Sequence, residues 1–343
     1  MVLTGSHPQP DFFSGRPVLV TGGTGFIGSH LIRNLLQNKA QVRVLVRPHS
    51  TLTDGRFDVH FGDLENADTL LSACHAIDTV FHVAGFAHAE NTPQTADYHW
   101  RINAEGTRRL LDSAVQAGVK RFIFLSSVLA AGPGGPLCIN EQWPLPPQTP
   151  YGKAKRAAEN WVLDAGKRYP LHVANLRPAL VYGAGVKGNL KRLLSIAQRN
   201  GVPALPDGGK RSMIHVEDVS QAALLAAAHP AAHLKTYILT DGQEYSSQDI
   251  INLTRLALGK PPPVWQIPRM VLSALAKLGD CTAGMKIGIM GFNSETFNKL
   301  LGWSWYSSEK IQRELGFQPI HTLAAALSDM METRRAGCEN LTP

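Results

Sequence analysis

Pro17-Val18-Leu19-Val20-Thr21-Gly22-Gly23-Thr24-Gly25-Phe26-Ile27-Gly28 opens as an apolar, strand-forming run and breaks into glycines at Gly22, Gly25 and Gly28. Immediately afterwards Ile27, Leu31 and Leu35, with Ile32 and Leu36, recur at helical spacing. The order is strand, tight turn, helix. Glycines serve such a turn by adopting a positive backbone angle, by letting the backbone approach a phosphate, and by letting helix pack closely on strand. The helix N-terminus adds unpaired N–H groups and a partial positive charge, the pairing a pyrophosphate requires. The stretch therefore predicts a dinucleotide site at Gly22, Gly25 and Gly28.

Working outward, the 343 residues suffice for one large domain or two. Hydrophobic content of 44% and charged content of 18% fit a globular chain and argue against disorder. A net charge of +7 and a pI near 9.3 raise the question of nucleic acid. The cations are scattered, however, and no basic run is interleaved with aromatics, so an anionic small molecule is the expected ligand and no nucleic acid is expected. Cys74, Cys138, Cys281 and Cys338 have no paired spacing, which predicts free thiols and a cytoplasmic location, not a disulfide framework. The thirteen histidines show no metal-binding spacing, so no metal is expected. Residues Met1–Asp11 lack the basic-then-apolar order of a secretory signal, and no apolar run is long enough to insert across a membrane. The most apolar region, Val264–Met290, is interrupted by Arg269, Lys277, Asp280 and Lys286 and reads as one or two amphipathic helices packed on a core.

After the first helix, Gln41–Val46 reads as a strand that stops at Arg47 and Pro48. About 20 residues past the glycines an NAD site places an acidic residue on the ribose 2'-hydroxyl. Arg47 stands there, and a guanidinium pairs with a 2'-phosphate, so NADP is favoured over NAD. A third strand, Phe57–Phe61, leads to Asp63-Leu64, a carboxylate beside an apolar residue suited to bracket an adenine ring. Asn66 caps a short helix ending near Cys74. The fourth strand, Thr79–Gly85, ends in small residues including Ala84, which allow close approach of the cofactor. A helix from about Asn103 to Val115 stops at Gly118, and a fifth strand, Arg121–Leu125, delivers Ser126-Ser127. Alternation of this kind predicts an α/β, doubly wound parallel sheet with ligands at the carboxyl ends of its strands.

Gly132–Pro150 is too rich in Gly and Pro for regular structure and reads as a loop over the site. Thr149-Pro150 caps the next helix, which carries Tyr151 and Lys155 four residues apart and hence on one face. A phenol is a poor acid or base at neutral pH, and a fixed ammonium beside it lowers its pKa. Such a tyrosine exchanges a proton with a carbonyl or alcohol while hydride moves to or from a nicotinamide, and Ser127 shares the same oxygen. His172–Leu176 is a sixth strand, and a further strand is expected at Thr236–Leu239. The dinucleotide-binding part is placed at 16–182 and 212–240, a smaller, discontinuous substrate-binding part at 183–211 and 241–330, and tails at 1–15 and 331–343.

With these pieces in hand the chain resembles an extended short-chain dehydrogenase/reductase, the group containing UDP-glucose 4-epimerase and related sugar-nucleotide enzymes. The resemblance rests on Thr21–Gly28, Asp63-Leu64, His82–Gly85, Asn103 with Gly106-Thr107, Ser126-Ser127, Tyr151 with Lys155, Leu176-Arg177-Pro178, Val181-Tyr182-Gly183, Arg211 with His215-Val216 and Asp218-Val219, and Glu314–Phe317. It implies a Rossmann fold in which the glycines with Phe26 and Ile27 hold the pyrophosphate and Asp63-Leu64 the adenine. It further implies that Tyr151 is the acid/base, that Lys155 also bonds the nicotinamide ribose, that Asn189 and Arg211 contact the nucleotide diphosphate of a nucleotide-sugar substrate, and that the chain forms a homodimer. Val128-Leu129 replace the Asp-Glu pair of the dehydratases, and Leu180 stands where the epimerases carry a substrate-binding asparagine. These departures favour net reduction with NADPH, most closely resembling the branch that reduces 4-keto sugars of UDP-N-acetylhexosamines. The alternatives are a UDP-sugar 4-epimerase, a flavonoid- or steroid-type alcohol dehydrogenase, and a non-catalytic dinucleotide sensor or assembly factor.

Overall fold

A computed structural model describes residues 11–50, 52, 54–87, 93–282 and 292–330. Most of both tails, Cys338, and the end of the Val264–Met290 run lie outside the described residues. The first half alternates as β1 (Pro17–Thr21), α1 (Phe26–Gln37), β2 (Gln41–Val46), β3 (Asp58–Phe61), α2 (Ala67–Cys74) and β4 (Thr79–His82). It continues with α3 (Pro93–His99), a π-helical turn at Trp100–Glu105, α4 (Gly106–Gln116), β5 (Arg121–Leu125), α5 (Pro150–Arg168) and β6 (His172–Pro178). Then come β7 (Leu180–Tyr182), α6 (Gly188–Ala197), β8 (Arg211–His215), α7 (Val216–Ala228), β9 (Lys235–Leu239), β10 (Glu244–Tyr245) and α8 (Ser247–Ala257). The last elements are α9 (Arg269–Thr282), α10 (Ser294–Leu301) and α11 (Glu309–Leu315), and a helix covers 323–330.

Seven strands form one parallel sheet in the order β3-β2-β1-β4-β5-β6-β9. Strand alternation divides the core into two layers. Val18 and Val20 face Leu31, Ile32 and Leu35 of α1, with α7 and α11 on the same side, whereas Leu19 faces α2, α4 and α5 on the other. Each such leucine taken out of water contributes about 1.5–3 kcal/mol. Because β2 lies on one side of β1 and β4 on the other, the chain order reverses there and leaves a crevice at the carboxyl ends of β1 and β4.

The smaller sheet, β10-β8-β7, joins β7 and β8 in parallel and β8 and β10 antiparallel. It packs with α6, α8 and 323–330 through Tyr182, Leu190, Met213, Tyr245, Ile250 and Leu327. The catalytic-side helix α5 begins as its sequence dictates. Thr149 Oγ1 accepts from Gly152 N at 3.1 Å, and Pro150 occupies the first turn, where its missing N–H costs nothing.

One expectation needs correction. The helix thought to start at Asn103 is preceded by seven residues of α3 and a π-helical turn, in which Asn103 is buried. The Val264–Met290 run supplies one described helix, α9, amphipathic and packed on the core as expected. Leu272 and Ala276 face the core, but the opposite face carries Met270 and Leu278, which are 83% and 54% exposed.

Candidate active site

The turn after β1 is built by its glycines. Gly22 holds φ of +74°, and a Cβ there would stand 2.7 Å from Ala84 N; a Cβ on Gly28 would stand 2.2 Å from Gly22 O. Neither position tolerates a side chain, so β1, the end of β4 and the first turn of α1 meet backbone to backbone. No side chain caps α1 at Gly25, and its first turn holds no acidic residue. Its N–H groups therefore suit a pyrophosphate, and a dinucleotide fits the residues present.

Around this crevice lie the other cofactor candidates. Arg47 is exposed at the end of β2 and forms no ion pair among the described residues. Asp63, after β3, accepts from Glu65 N at 2.9 Å, and Leu64 is buried. Phe26 and Ile27 are partly buried in the first turn of α1. The sequence brings Ser127, Tyr151 and Lys155 together at the carboxyl end of β5. Tyr151 lies beside Ser127, whose Oγ accepts from Leu129 N at 3.2 Å. Lys155 is buried, donates from Nζ to Leu125 O at 2.8 Å and sits 4.6 Å from the centre of the Phe124 ring.

The electrostatics differ from the expectation that Lys155 lowers the Tyr151 hydroxyl. Burial pushes Tyr151 up to about 12, with the Ser127 hydroxyl opposing it. Burial likewise pushes Lys155 down to about 8, opposed by Glu159. Desolvation outweighs the Ser127 hydroxyl at Tyr151 and the Glu159 charge at Lys155.

A line of hydrogen bonds among residues with no expected catalytic role ties this site to the glycine turn. Thr107 Oγ1 donates to Asn103 O at 2.8 Å, so it accepts from His82 Nε2–H at 2.9 Å. His82 Nδ1 therefore accepts from Thr21 Oγ1 at 2.7 Å, and Thr21 in turn accepts from Ala84 N at 3.1 Å. Burial, and after it the charge of Lys155, push His82 down to about 3, which keeps the imidazole neutral and fixes the Nε2–H tautomer. Asn103 grips Phe86 on both sides, accepting from its N and donating to its O, each at 2.8 Å. His99 also bonds Phe86 O, at 3.1 Å, and meets the Tyr151 ring edge to face at 5.5 Å. The spacing of His99, Asn103 and Thr107, four apart each time, was the available signal. Replacing His82 with Phe leaves the Thr21 and Thr107 hydroxyls without their partner. We expect a loss of about 2 kcal/mol or more in stability, checked by denaturant unfolding; an unchanged midpoint would show that the line carries no load.

The substrate candidates lie in the smaller lobe. Asn189 is exposed on the first turn of α6. Arg211 starts β8, donates from Nη2 to Leu300 O at 2.8 Å, and buries Nε with no partner among the described residues. No carboxylate of the described residues pairs with it, and burial lowers its pKa. A partly buried guanidinium without a counter-ion is matched to an anion. A cleft of about 190 Å³ lies beside Leu129 and Thr149, with Ile139, Trp303 and Trp305 on its walls.

Comparison with known proteins agrees with this geometry. The sequence model of the NAD dependent epimerase/dehydratase family matches residues 18–239. The chain is 29% identical over 278 residues to UDP-glucose 4-epimerase of Vibrio cholerae, covering 78% of this chain and 81% of that one. It is 27% identical over 333 residues to 3-beta-hydroxysteroid dehydrogenase of Mycolicibacterium neoaurum, covering 92% and 90%. The solved structure of MoeE5 in complex with UDP-glucose and NAD superposes with a TM-score of 0.73 at 28% identity, covering 94% of this chain and 99% of that one.

Proposed function

Because the chain belongs to the NAD-dependent epimerase/dehydratase family, we propose that it reduces a keto group at C4 of a nucleotide sugar, with NADPH as reductant. The observation that carries this reading is Arg47, exposed at the end of β2 and free of any ion pair among the described residues, where it can meet the 2'-phosphate of NADPH. Tyr151, beside Ser127 at the carboxyl end of β5, is the acid that reduction of a ketone calls for. A bound dihydronicotinamide supplies the hydride. Tyr151 Oη gives its proton to the carbonyl oxygen, and Ser127 Oγ–H bonds the same oxygen as negative charge builds there. The phenolate left behind is stabilised by the Lys155 ammonium and takes its next proton from water. Val128-Leu129, beside Ser127, offer no acid/base pair for eliminating water.

The partly buried Arg211, whose Nε has no partner among the described residues and whose guanidinium faces no carboxylate, supports a substrate diphosphate, with Asn189 beside it in role. Arg47 supports the 2'-phosphate of NADP. Arg47→Glu is expected to lower the ratio of NADP to NAD affinity about tenfold or more, by replacing a charge-assisted contact with repulsion. Titration of both cofactors checks this, and an unchanged ratio removes Arg47 from the cofactor site.

A second reading, reduction of an apolar cyclic ketone, draws support from the cleft walled by Leu129, Ile139, Trp303 and Trp305. One screen separates the readings. UDP-4-keto sugars, UDP-glucose and a steroid ketone are each offered with NADPH or NAD. Net NADPH oxidation with the keto sugar supports the proposal. Interconversion of UDP-glucose and UDP-galactose with tightly held NAD replaces it with epimerisation, and turnover of the steroid alone replaces it with the second reading. We also propose a homodimer formed through the outer faces of α5 and the π-helical turn, where Trp100, 43% exposed, meets Trp161 edge to face at 6.2 Å.

A further inference from the structure

The lobe built on α6, α8, α9 and α10 has its own small core, in which Leu272 of α9 packs with Ala197, Leu205, Ile251 and Leu301. On the far side of α9, Met270, Ala274, Lys277, Leu278 and Cys281 recur at i, i+4, i+7, i+8 and i+11, one continuous stripe, and all are exposed. The outward face of an amphipathic helix is normally polar, but on α9 it carries Met270 and Leu278 beside Lys277. Here one whole face meets solvent.

The segment leading into α9 continues the same surface. Pro261-Pro262-Pro263 stiffens the chain, after which Val264 is 92% and Trp265 is 53% exposed. This is not a loose loop. Trp265 O accepts from Ala204 N at 2.7 Å, Ile267 N donates to Ala204 O at 3.0 Å, and Gln266 Nε2 donates to Leu205 O at 3.0 Å. The backbone is pinned to the lobe while the two apolar side chains project from it.

Charge selects the occupant. Between Ile250 and Gly279 there is no Asp or Glu, and Arg269 and Lys277 lie exposed along α9; the one acid of that helix, Asp280 in its last turn, is turned to α10, where it accepts from Ser294 N at 3.0 Å. The neighbouring α6, which packs on α8, exposes Lys191 and Arg192 within a stretch from Ala165 to Pro206 that is also free of acids. Projecting apolar side chains, a tryptophan at their margin and long cationic stems that can reach sideways to headgroups are what an interfacial helix offers an anionic bilayer. Side chains this exposed project outward and form no concavity to receive a partner's side chains, whereas a fluid interface adapts to projections. No described helix is long and apolar enough to cross a membrane, so the helix lies on the surface.

We propose that Val264, Trp265 and the Met270–Leu278 face of α9 form a docking surface for an anionic lipid membrane, which holds the enzyme at the bilayer surface whichever ketone it reduces. The full-length protein is sedimented with vesicles of phosphatidylcholine alone and of phosphatidylcholine with phosphatidylglycerol. Binding is expected to the mixed vesicles only, to weaken with salt, and to quench tryptophan emission when the lipids are brominated, less so in Trp265→Phe. Met270→Asp/Leu278→Asp and, separately, the exposed pair Arg269→Glu/Lys277→Glu should each weaken binding about tenfold or more, with dinucleotide affinity retained as the control for folding. Three results overturn the proposal: no binding to either vesicle, binding that both double variants retain, or a concentration-dependent self-association in lipid-free solution that Met270→Asp abolishes, which assigns the face to a second copy of the chain.

Discussion

Tyr151→Phe will turn over its substrate about a hundred- to ten-thousandfold more slowly than the native chain, with dinucleotide affinity nearly unchanged. The hydroxyl lies beside Ser127, and in the proposed reduction its proton is the one that goes to the carbonyl oxygen. The ring stays in place against His99, since that contact uses only its edge and face. The substitution therefore removes chemistry without removing structure. Single-turnover rates with saturating cofactor read the loss directly, and cofactor titration reads what is kept. A variant within a few-fold of the native rate would mean that another group delivers the proton and would take the assignment away from Tyr151.

The largest effect on stability is expected two turns further along α5. Glu159 and Arg177 are 1% and 4% exposed and bond through two parallel contacts, Arg177 Nε to Oε1 at 2.7 Å and Nη2 to Oε2 at 2.5 Å. The pair clamps α5, which carries Tyr151 and Lys155, onto β6. Glu159→Gln leaves a buried guanidinium without a countercharge and should cost about 3–5 kcal/mol, seen as a fall in the denaturation midpoint. It should also slow turnover, though less than Tyr151→Phe, by loosening the helix that positions the phenol. Glu159→Leu/Arg177→Met removes both charges and should recover most of the lost stability. If the single variant is as stable as the native chain, the clamp is ornamental and α5 is held by its apolar face alone.

How much of this was legible in the sequence depends on how far apart the interacting groups lie. The strand, glycine turn and helix from Pro17 to Gln37 could be read because each signal is local: a period of two, then glycines, then a period near 3.6. Thr149-Pro150 announced the start of α5 for the same reason, and a separation of four put Tyr151 and Lys155 on one side of it. Groups that meet through the fold gave no such sign. Nothing near Lys155 in the chain indicates that its ammonium turns to Leu125 O and Phe124, or that the site is dry enough to raise the phenol instead of lowering it. The Glu159–Arg177 clamp joins a helix to the strand after it, and the pairing of β8 with β7 sends a late strand into the smaller sheet. Both are decisions of tertiary packing. For α9 the cations that interrupt its apolar run indicated an amphipathic helix, as found, and only the structure showed Met270 and Leu278 standing on its exposed face.

The line from Ala84 through Thr21, His82 and Thr107 to Asn103 has every hydrogen pointing the same way. Such a line behaves like a row of turnstiles. Reversing one bond requires its neighbours to reverse and His82 to move its proton to the other ring nitrogen, which a buried imidazole has no water to help with. The orientation chosen on folding is thus locked in, and the lip of the cofactor crevice and the π-helical turn beneath Tyr151 inherit a common setting. A change made at Thr107, on a helix that touches neither the glycine turn nor the phenol, should be felt at both.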